Sequence, residues 1–183
     1  MITRIRYKLS YKTTLQLYDT LILTHLNYCN MLWASTYKTT LQNIYNLQKR
    51  VLKLCIGKKN NYKYPFKCQI LTQNPISIFA KTNRLSIFDL NKIQTAKFIF
   101  QTIHKLSPPC FTDIFSLVSN VHSHNTRAER RHDLFHKHAK TNSRKITVSV
   151  RGPILWNSIP VNIRAIMSVF VFLTFLKRHF LSS

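Results

Sequence analysis

Apolar residues recur every three or four positions along the first part of the chain, which is the spacing of one face of an α-helix. One run lies between residues 15 and 33, and a second lies between residues 41 and 55. A polar segment, STYKTT, separates them, and Gly57 follows the second run where a helix C-cap is expected. The pattern predicts two antiparallel helices joined by a short connection. The apolar positions of the two runs are Leu15, Tyr18, Ile22, Leu26, Cys29 and Trp33, then Leu41, Ile44, Leu47, Val51, Leu54 and Cys55.

Two further segments carry helical signals. Apolar residues between Ile78 and Ile103 have roughly helical spacing, and the Pro108-Pro109 pair is expected to stop that helix. A last helix is predicted over residues 168–181, with Ser168 as its N-cap. Because residues 169–173 are apolar on every side, we expect this helix to be buried or to lie at an interface.

The segment between these helices has a different character. Residues 121–144 are polar, basic and rich in histidine, which is typical of a linker or long loop. Apolar and polar residues then alternate over 146–151, which predicts a short half-buried strand ended by a Gly-Pro turn signal. The sequence therefore predicts a mainly α fold, with a helical bundle-like N-terminal part, a basic loop, one short β element and a C-terminal helix.

These patterns divide the chain of 183 residues into three regions. Residues 1–113 are the helical region, residues 114–145 are the basic His-rich linker, and residues 146–183 contain the strand, a corner and the last helix. In the corner, glycine lets the backbone reverse, prolines fix φ and tryptophan supplies a large apolar anchor. We therefore assign a structural role to Gly152, Pro153, Trp156, Asn157 and Pro160.

The charge balance indicates the class of partner. The chain has 28 Lys and Arg residues against five Asp and Glu residues, so its formal net charge is +23. An AT-rich genome would enrich lysine and asparagine, but it would not remove carboxylates. A surface this positive attracts a polyanion at long range, and nucleic acid is the favoured one. An anionic membrane surface is the alternative.

Catalytic patterns are missing from the sequence. Two-metal phosphoryl transfer needs clustered carboxylates, whereas the closest acidic pair here is Glu129 and Asp133. A glycine-rich phosphate loop needs more glycines than Gly57 and Gly152, and no nucleophile elbow is present. We therefore predict no catalytic residue, no cofactor and no enzymatic activity for this chain.

Five histidines fall between residues 122 and 138, and two of them, His132 and His136, are spaced as on one turn of a helix. Two imidazoles in that arrangement can bind zinc if a carboxylate or a cysteine completes the site. No cysteine is near, and the interleaved Arg and Lys residues repel a cation. The sequence thus favours a basic loop with neutral histidines and no metal site.

Targeting and membrane signals are also missing. The four cysteines are widely spaced, without a CxxC pair, which is typical of reduced thiols in an intracellular protein. The basic N-terminal segment has no apolar stretch of a secretory signal. The longest strongly apolar run, residues 165–176, is too short for a transmembrane helix of ~20 residues. We expect an intracellular location, in the cytoplasm or the nucleus.

Several ordered segments resemble a known family. They begin with LYDTLILTHLNYCNMLW and LQNIYNLQKRVLKL, continue with LTQNPI, HKLSPPCF and HNTR, and end with VSVRGPILWNSIPVNIR. Together they resemble the C-terminal region of a non-LTR (LINE-type, jockey-like) retrotransposon reverse transcriptase, and the GP-x-x-WN-x-x-P element is the sharpest part. The resemblance implies the helical thumb-like and connecting part that follows the polymerase palm and grips template and primer. It carries over no catalytic residue, because the aspartates of the palm have no counterpart here.

The resulting hypothesis is a non-catalytic fragment of an RNA-directed DNA polymerase that binds RNA or DNA independently of sequence. Basic side chains would contact phosphates, and interspersed Tyr and Phe side chains would stack on unpaired bases. An intact polymerase of the element is a further partner. The alternatives are a protein-interaction or membrane-surface module, and a degenerate copy without function. The candidate nucleic-acid-binding residues are Lys49, Arg50, Lys53, Lys58, Lys59, Arg127, Arg130, Arg131 and Arg144.

Overall fold

The structure, a computed structural model, describes residues 8–56, 75–121 and 126–182. Across these ranges the chain is mainly helical, with twelve helices and no strand. The predicted mainly α class is therefore confirmed, whereas the predicted short β element at residues 146–151 is wrong.

The N-terminal part contains the two predicted helical runs, but the first is not one continuous helix. Ser10 caps its start by accepting a hydrogen bond from the Thr13 N–H. At Cys29 the backbone turns into the left-handed region, with φ of 46°, and interrupts the helix. The elements are α1 (Tyr11–Tyr18), a π-helical segment (Asp19–Leu23), α2 (Thr24–Asn27), α3 (Asn30–Trp33) and α4 (Lys38–Ile56). The predicted C-cap at Gly57 lies outside the described residues.

The next predicted run forms two helices, α5 (Pro75–Thr82) and α6 (Ile87–Ile103). Asn83 separates them with a positive φ of 53°, and Ser86 then caps α6 by accepting from the Asp89 N–H. Helix α6 ends at Ile103, before the Pro108-Pro109 pair that was expected to stop it, and Lys105 has a positive φ of 57°. Pro109 begins a short 3-10 helix, Pro109–Ile114.

Residues 115–145 contain three short helices, α7 (Val118–Val121), α8 (Arg127–Arg130) and α9 (Asn142–Lys145). An isolated antiparallel bridge pairs Leu117 with Leu134, and the Leu134 side chain is buried in the main core. Asn157 holds this bridge in place, because its side-chain amide accepts from the Leu134 N–H and donates to the Leu134 carbonyl, both at 2.9 Å. Packed structure thus extends into the segment that composition marks as a linker.

The predicted strand and turn are replaced by helix α10 (Val148–Ser158). Gly152 and Pro153 are buried inside this helix, and no glycine of the described residues has a positive φ. A Cβ atom on Gly152 would lie 3.1 Å from both Ile99 and Phe115. Glycine therefore permits close packing of α10 against α6 rather than a chain reversal. It also lacks the Cβ that clashes with a following proline in helical geometry.

Two helices complete the chain, α11 (Val161–Arg164) and α12 (Val169–Ser182). The predicted last helix is confirmed. Its Phe172 and Leu176 side chains are fully buried, whereas Phe170 is 79% exposed. One side of α12 therefore packs on the core, and the other faces solvent.

The core has two clusters. The C-terminal cluster is aromatic: Phe100 stacks on Phe172 with ring centroids 4.7 Å apart, and Trp156 lies 5.9 Å from Phe172. The N-terminal cluster joins α1, α4 and α5 through Tyr18, Leu52, Cys55, Ile78 and Phe79. Two of its members are titratable. Because burial leaves both poorly solvated, the pKa of Tyr18 is raised to about 12 and the pKa of the Cys55 thiol to about 11.

Candidate nucleic-acid interface

Helix α4 carries three of the predicted binding residues on one partly exposed side. We call these residues, Lys49, Arg50 and Lys53, the basic flank. Lys49 and Lys53 are four residues apart, so they are neighbours on one helical face, and Arg50 is exposed beside them. Partial burial and the nearby Lys49 ammonium lower the pKa of Lys53. The two lysines therefore repel each other, and a phosphate between them would relieve that repulsion.

A buried amide positions this flank. Gln48, which directly precedes Lys49, donates from Nε2 to the Tyr18 hydroxyl at 2.8 Å and to the Leu85 carbonyl at 2.9 Å. Its Oε1 accepts from the Ile87 N–H at 3.0 Å, which satisfies a donor in the first turn of α6. One side chain thus ties α4 to α1 and to the start of α6, and it fixes the direction in which the flank faces.

An ion pair supports the same junction. Arg84, between α5 and α6, makes a bidentate contact with Asp19 in the π-helical segment, with Nε 2.7 Å from Oδ1. This contact raises the pKa of the Arg84 guanidinium. Because paired Arg and carboxylate groups fix each other's orientation, the first helical segment and the α5–α6 junction are held together beneath the basic flank.

The other predicted residues lie elsewhere in the fold. Arg127 and Arg131 are exposed at the two ends of α8, and Arg144 is exposed in α9. Helix α8 packs on α7 and α9 packs on α10, whereas α4 packs on α1, α5 and α6. The candidate residues therefore form two groups. Lys58, Lys59 and the Arg130 side chain lie outside the described residues.

Within the described ranges, three carboxylates take part in ion pairs. Arg131 is one of their partners, with its guanidinium 3.3 Å from Asp133, so it is less available to a ligand than Arg127 or Arg144. Asp133 is also bound by Arg164 at 2.9 Å, and both of those side chains are almost fully buried. The carboxylates and their partners are Asp19 with Arg84, Asp89 with Lys92, and Asp133 with Arg131 and Arg164.

The residues assigned to the corner occupy distinct places. Trp156 is 4% exposed and sits in the aromatic core, and Asn157 holds the Leu117–Leu134 bridge. Pro160 is the N-cap residue of α11. The Trp156 and Asn157 side chains thus contact protein groups. The backbone reversal predicted at Gly152 and Pro153 is absent, because both residues lie inside α10.

The histidine cluster does not form a helical pair. His132 follows α8 with a positive φ of 52°, and His136 lies in the non-helical segment after it, so the two imidazoles are not on one helical turn. Within the described ranges no three His, Cys, Asp or Glu side chains are grouped so that they could hold a metal ion. Two histidines of the cluster, His122 and His124, lie outside those ranges.

The sequence interpretation missed a cavity beside the basic flank. It has a volume of about 280 Å³ and lies between α4, the α5–α6 junction and the end of α12. Aromatic and charged side chains both line it, among them Tyr45, Phe79, Arg84, Asp89, Lys92 and Phe180. No local sequence pattern marks it, because its lining residues come from separate helices.

Among the described residues, none of the helices is long and apolar enough to cross a membrane. Comparison of the chain with protein-family models, with curated proteins and with solved structures finds no match.

Proposed function

We propose that this chain binds single-stranded RNA or DNA through phosphate contacts, as the non-catalytic, post-palm part of a non-LTR retrotransposon reverse transcriptase. The sequence resemblance supplies the family origin, and the charge distribution supports the binding. We propose no catalytic role for any residue. An assembly with an intact polymerase of the element follows from the same origin.

The observation that carries this proposal is the excess of basic side chains that remains after the ion pairs within the fold are counted. Three carboxylates already contact basic side chains within the fold. In the sequence no acidic residue occurs between Asp19 and Asp89, or after Asp133. Because the chain has 28 Lys and Arg residues against five Asp and Glu residues, most of its basic side chains have no carboxylate to neutralise them. A polyanion is the ligand that such a surface attracts.

Exposed aromatic rings favour a single strand over a duplex. Tyr28 is 76% exposed and Tyr37 is 49% exposed, at the two sides of α3. Unpaired bases stack on such rings whatever their identity, because every base has a π face. Binding that combines phosphate contacts with stacking is independent of sequence.

One observation favours a second candidate, an anionic membrane surface. Helix α12 and the preceding Met167 present apolar side chains to solvent, with Met167 78%, Phe170 79% and Phe175 46% exposed. Arg178 lies 5.7 Å from the Phe175 ring centroid, and basic groups beside apolar ones are typical of helices that lie in a lipid interface.

Two titrations separate these candidates. Binding of a labelled single-stranded RNA is measured by fluorescence anisotropy at several salt concentrations, and vesicles of anionic and of neutral lipid are tested by sedimentation. We expect tight RNA binding that weakens steeply with salt, because counterions are released from the strand. Binding to anionic vesicles that is lost in Phe170→Ser, together with weak binding to RNA, would instead support the membrane candidate.

A further inference from the structure

Aromatic side chains form part of the wall of the cavity beside α4. Tyr45 and Phe79 form a stacked pair with ring centroids 5.7 Å apart and an interplanar angle of 24°. Phe180, from the end of α12, also lines the cavity, and the Lys92 ammonium lies 5.1 Å from its ring centroid. Flat aromatic walls of this kind suit a planar ring system.

Polar groups of both signs lie in the same cavity. The Asp89 carboxylate accepts from the Ser86 hydroxyl at 2.6 Å and from the Lys92 ammonium at 2.9 Å. Each carboxylate oxygen has two lone pairs, so Asp89 retains capacity for another donor. The Lys92 ammonium has two further N–H donors, and Arg84, whose guanidinium already donates to Asp19 and to the Thr82 and Asn83 carbonyls, adds positive charge. The ligand that matches this set is flat, and its edge carries both hydrogen-bond donors and acceptors.

The position of the cavity relative to the basic flank narrows the ligand class. Tyr45 lines the cavity, and Lys49 and Lys53 follow it at steps of one helical turn, ~5.4 Å along α4. Both ammonium groups therefore belong to the helical face of α4 that carries Tyr45, within reach of a strand attached to a ligand in the cavity. Its volume of about 280 Å³ is at the small end for ligand pockets, which suits one ring system and excludes a dinucleotide.

We infer that this cavity accepts one unpaired nucleobase of a single strand whose phosphates run along Lys49 and Lys53. This inference rests on the proposed function and adds a base-binding site to it. A lipid chain fits less well, because it would offer no hydrogen-bond donor to Asp89 and no acceptor to the Lys92 ammonium. An aromatic side chain of a protein partner would fill the cavity, but it would bring no anion to the two lysines.

The test compares two synthetic strands of equal length and charge. One consists of abasic phosphodiester units throughout, and the other carries one central adenine. We expect wild-type protein to bind the adenine strand about tenfold more tightly, because one stacked base contributes about that much affinity. Binding is measured by anisotropy with an end label, at several salt concentrations.

A plugging variant isolates the cavity. Ala80 lines it but is exposed, so Ala80→Trp should fill it without disturbing the core, and Ala80→Leu provides a smaller plug. We expect both to lose the tenfold preference and to keep the salt dependence of wild type. The matched control is the single variant Lys81→Gln, which leaves Ala80 unchanged. Lys81 is the exposed neighbour of Ala80 on α5 and does not line the cavity. This control should keep the preference.

The outcomes distinguish the two proposals. Equal affinity of wild type for both strands, with steep salt dependence, would overturn the base-binding site and leave phosphate binding intact. A preference that survives in both Ala80 variants would also overturn it, because the base would then stack elsewhere. No salt-dependent binding of either strand would overturn the proposed function, and the base-binding site with it.

Discussion

The two core clusters are built on different physical principles. The N-terminal cluster is joined to a buried amide, Gln48, which donates to Tyr18 of the cluster and is hydrogen-bonded to three other segments in all. At the centre of the C-terminal cluster are stacked aromatic rings of Phe100, Phe172 and Trp156. Hydrogen bonds are directional and costly to leave unmade, whereas apolar packing depends mainly on volume.

Because of this difference, one cluster mainly orients helix α4 and the other mainly stabilises the fold. The directional network lies next to Lys49 and Arg50, where the orientation of a helix decides which groups a strand meets. The aromatic cluster lies under α10 and α12, where close packing holds the rest of the chain together. The comparison predicts that variants in the aromatic cluster change stability alone, whereas variants in the amide network also change binding.

The largest effect is expected from Trp156→Ala. Removing a buried tryptophan loses apolar contact and leaves a cavity, at a cost of about 3–5 kcal/mol in the free energy of unfolding. Urea denaturation followed by circular dichroism measures this cost. Ile154→Ala, an exposed position on the same helix, should change the free energy by less than about 0.5 kcal/mol.

A fully stable Trp156→Ala protein with weakened RNA binding would contradict this account. Trp156 would then be a base-stacking residue, and the aromatic cluster would belong to the binding surface. The expected result is an unchanged salt dependence for whatever fraction of the variant remains folded.

A smaller loss of stability is expected from Gln48→Met. Methionine keeps the shape of the side chain but leaves the Ile87 N–H and the Leu85 carbonyl without their partner, which costs about 2–3 kcal/mol. Because α4 is then less firmly oriented, affinity for RNA should fall about threefold even in conditions where the variant is folded, a shift of ~0.6 kcal/mol. Gln42→Met, an exposed position on the same helix, is the control and should alter neither quantity.

Local sequence patterns predicted the helices well where a polar and an apolar side are distinct, as along residues 38–56. They failed at Gly152 and Pro153, where a strong turn signal lies inside α10. The reason is tertiary: the missing Cβ of Gly152 admits Ile99 and Phe115, and no local pattern contains those distant contacts. The break at Cys29 was missed because the apolar spacing continues across it.

The candidate site was predicted in part. Net charge and the spacing of Lys49 and Lys53 are properties of the sequence, so the basic flank could be proposed without a structure. The pairing of Asp133 with Arg164, 31 residues apart, could not be proposed from the sequence. The same holds for the cavity, because its walls come from α4, α5, α6 and α12. Such features depend on which helices pack together.

The central claim is that the flank of α4 binds phosphates, and the salt dependence of RNA affinity tests it most directly. The slope of log K against log salt should be less steep in a Lys49→Ala, Arg50→Ala, Lys53→Ala triple variant by roughly two units, at about 0.7 per phosphate contact on a single strand. The charge-preserving variant Lys49→Arg, Arg50→Lys, Lys53→Arg should keep the wild-type slope. A triple alanine variant that is folded and has the wild-type slope would contradict the claim.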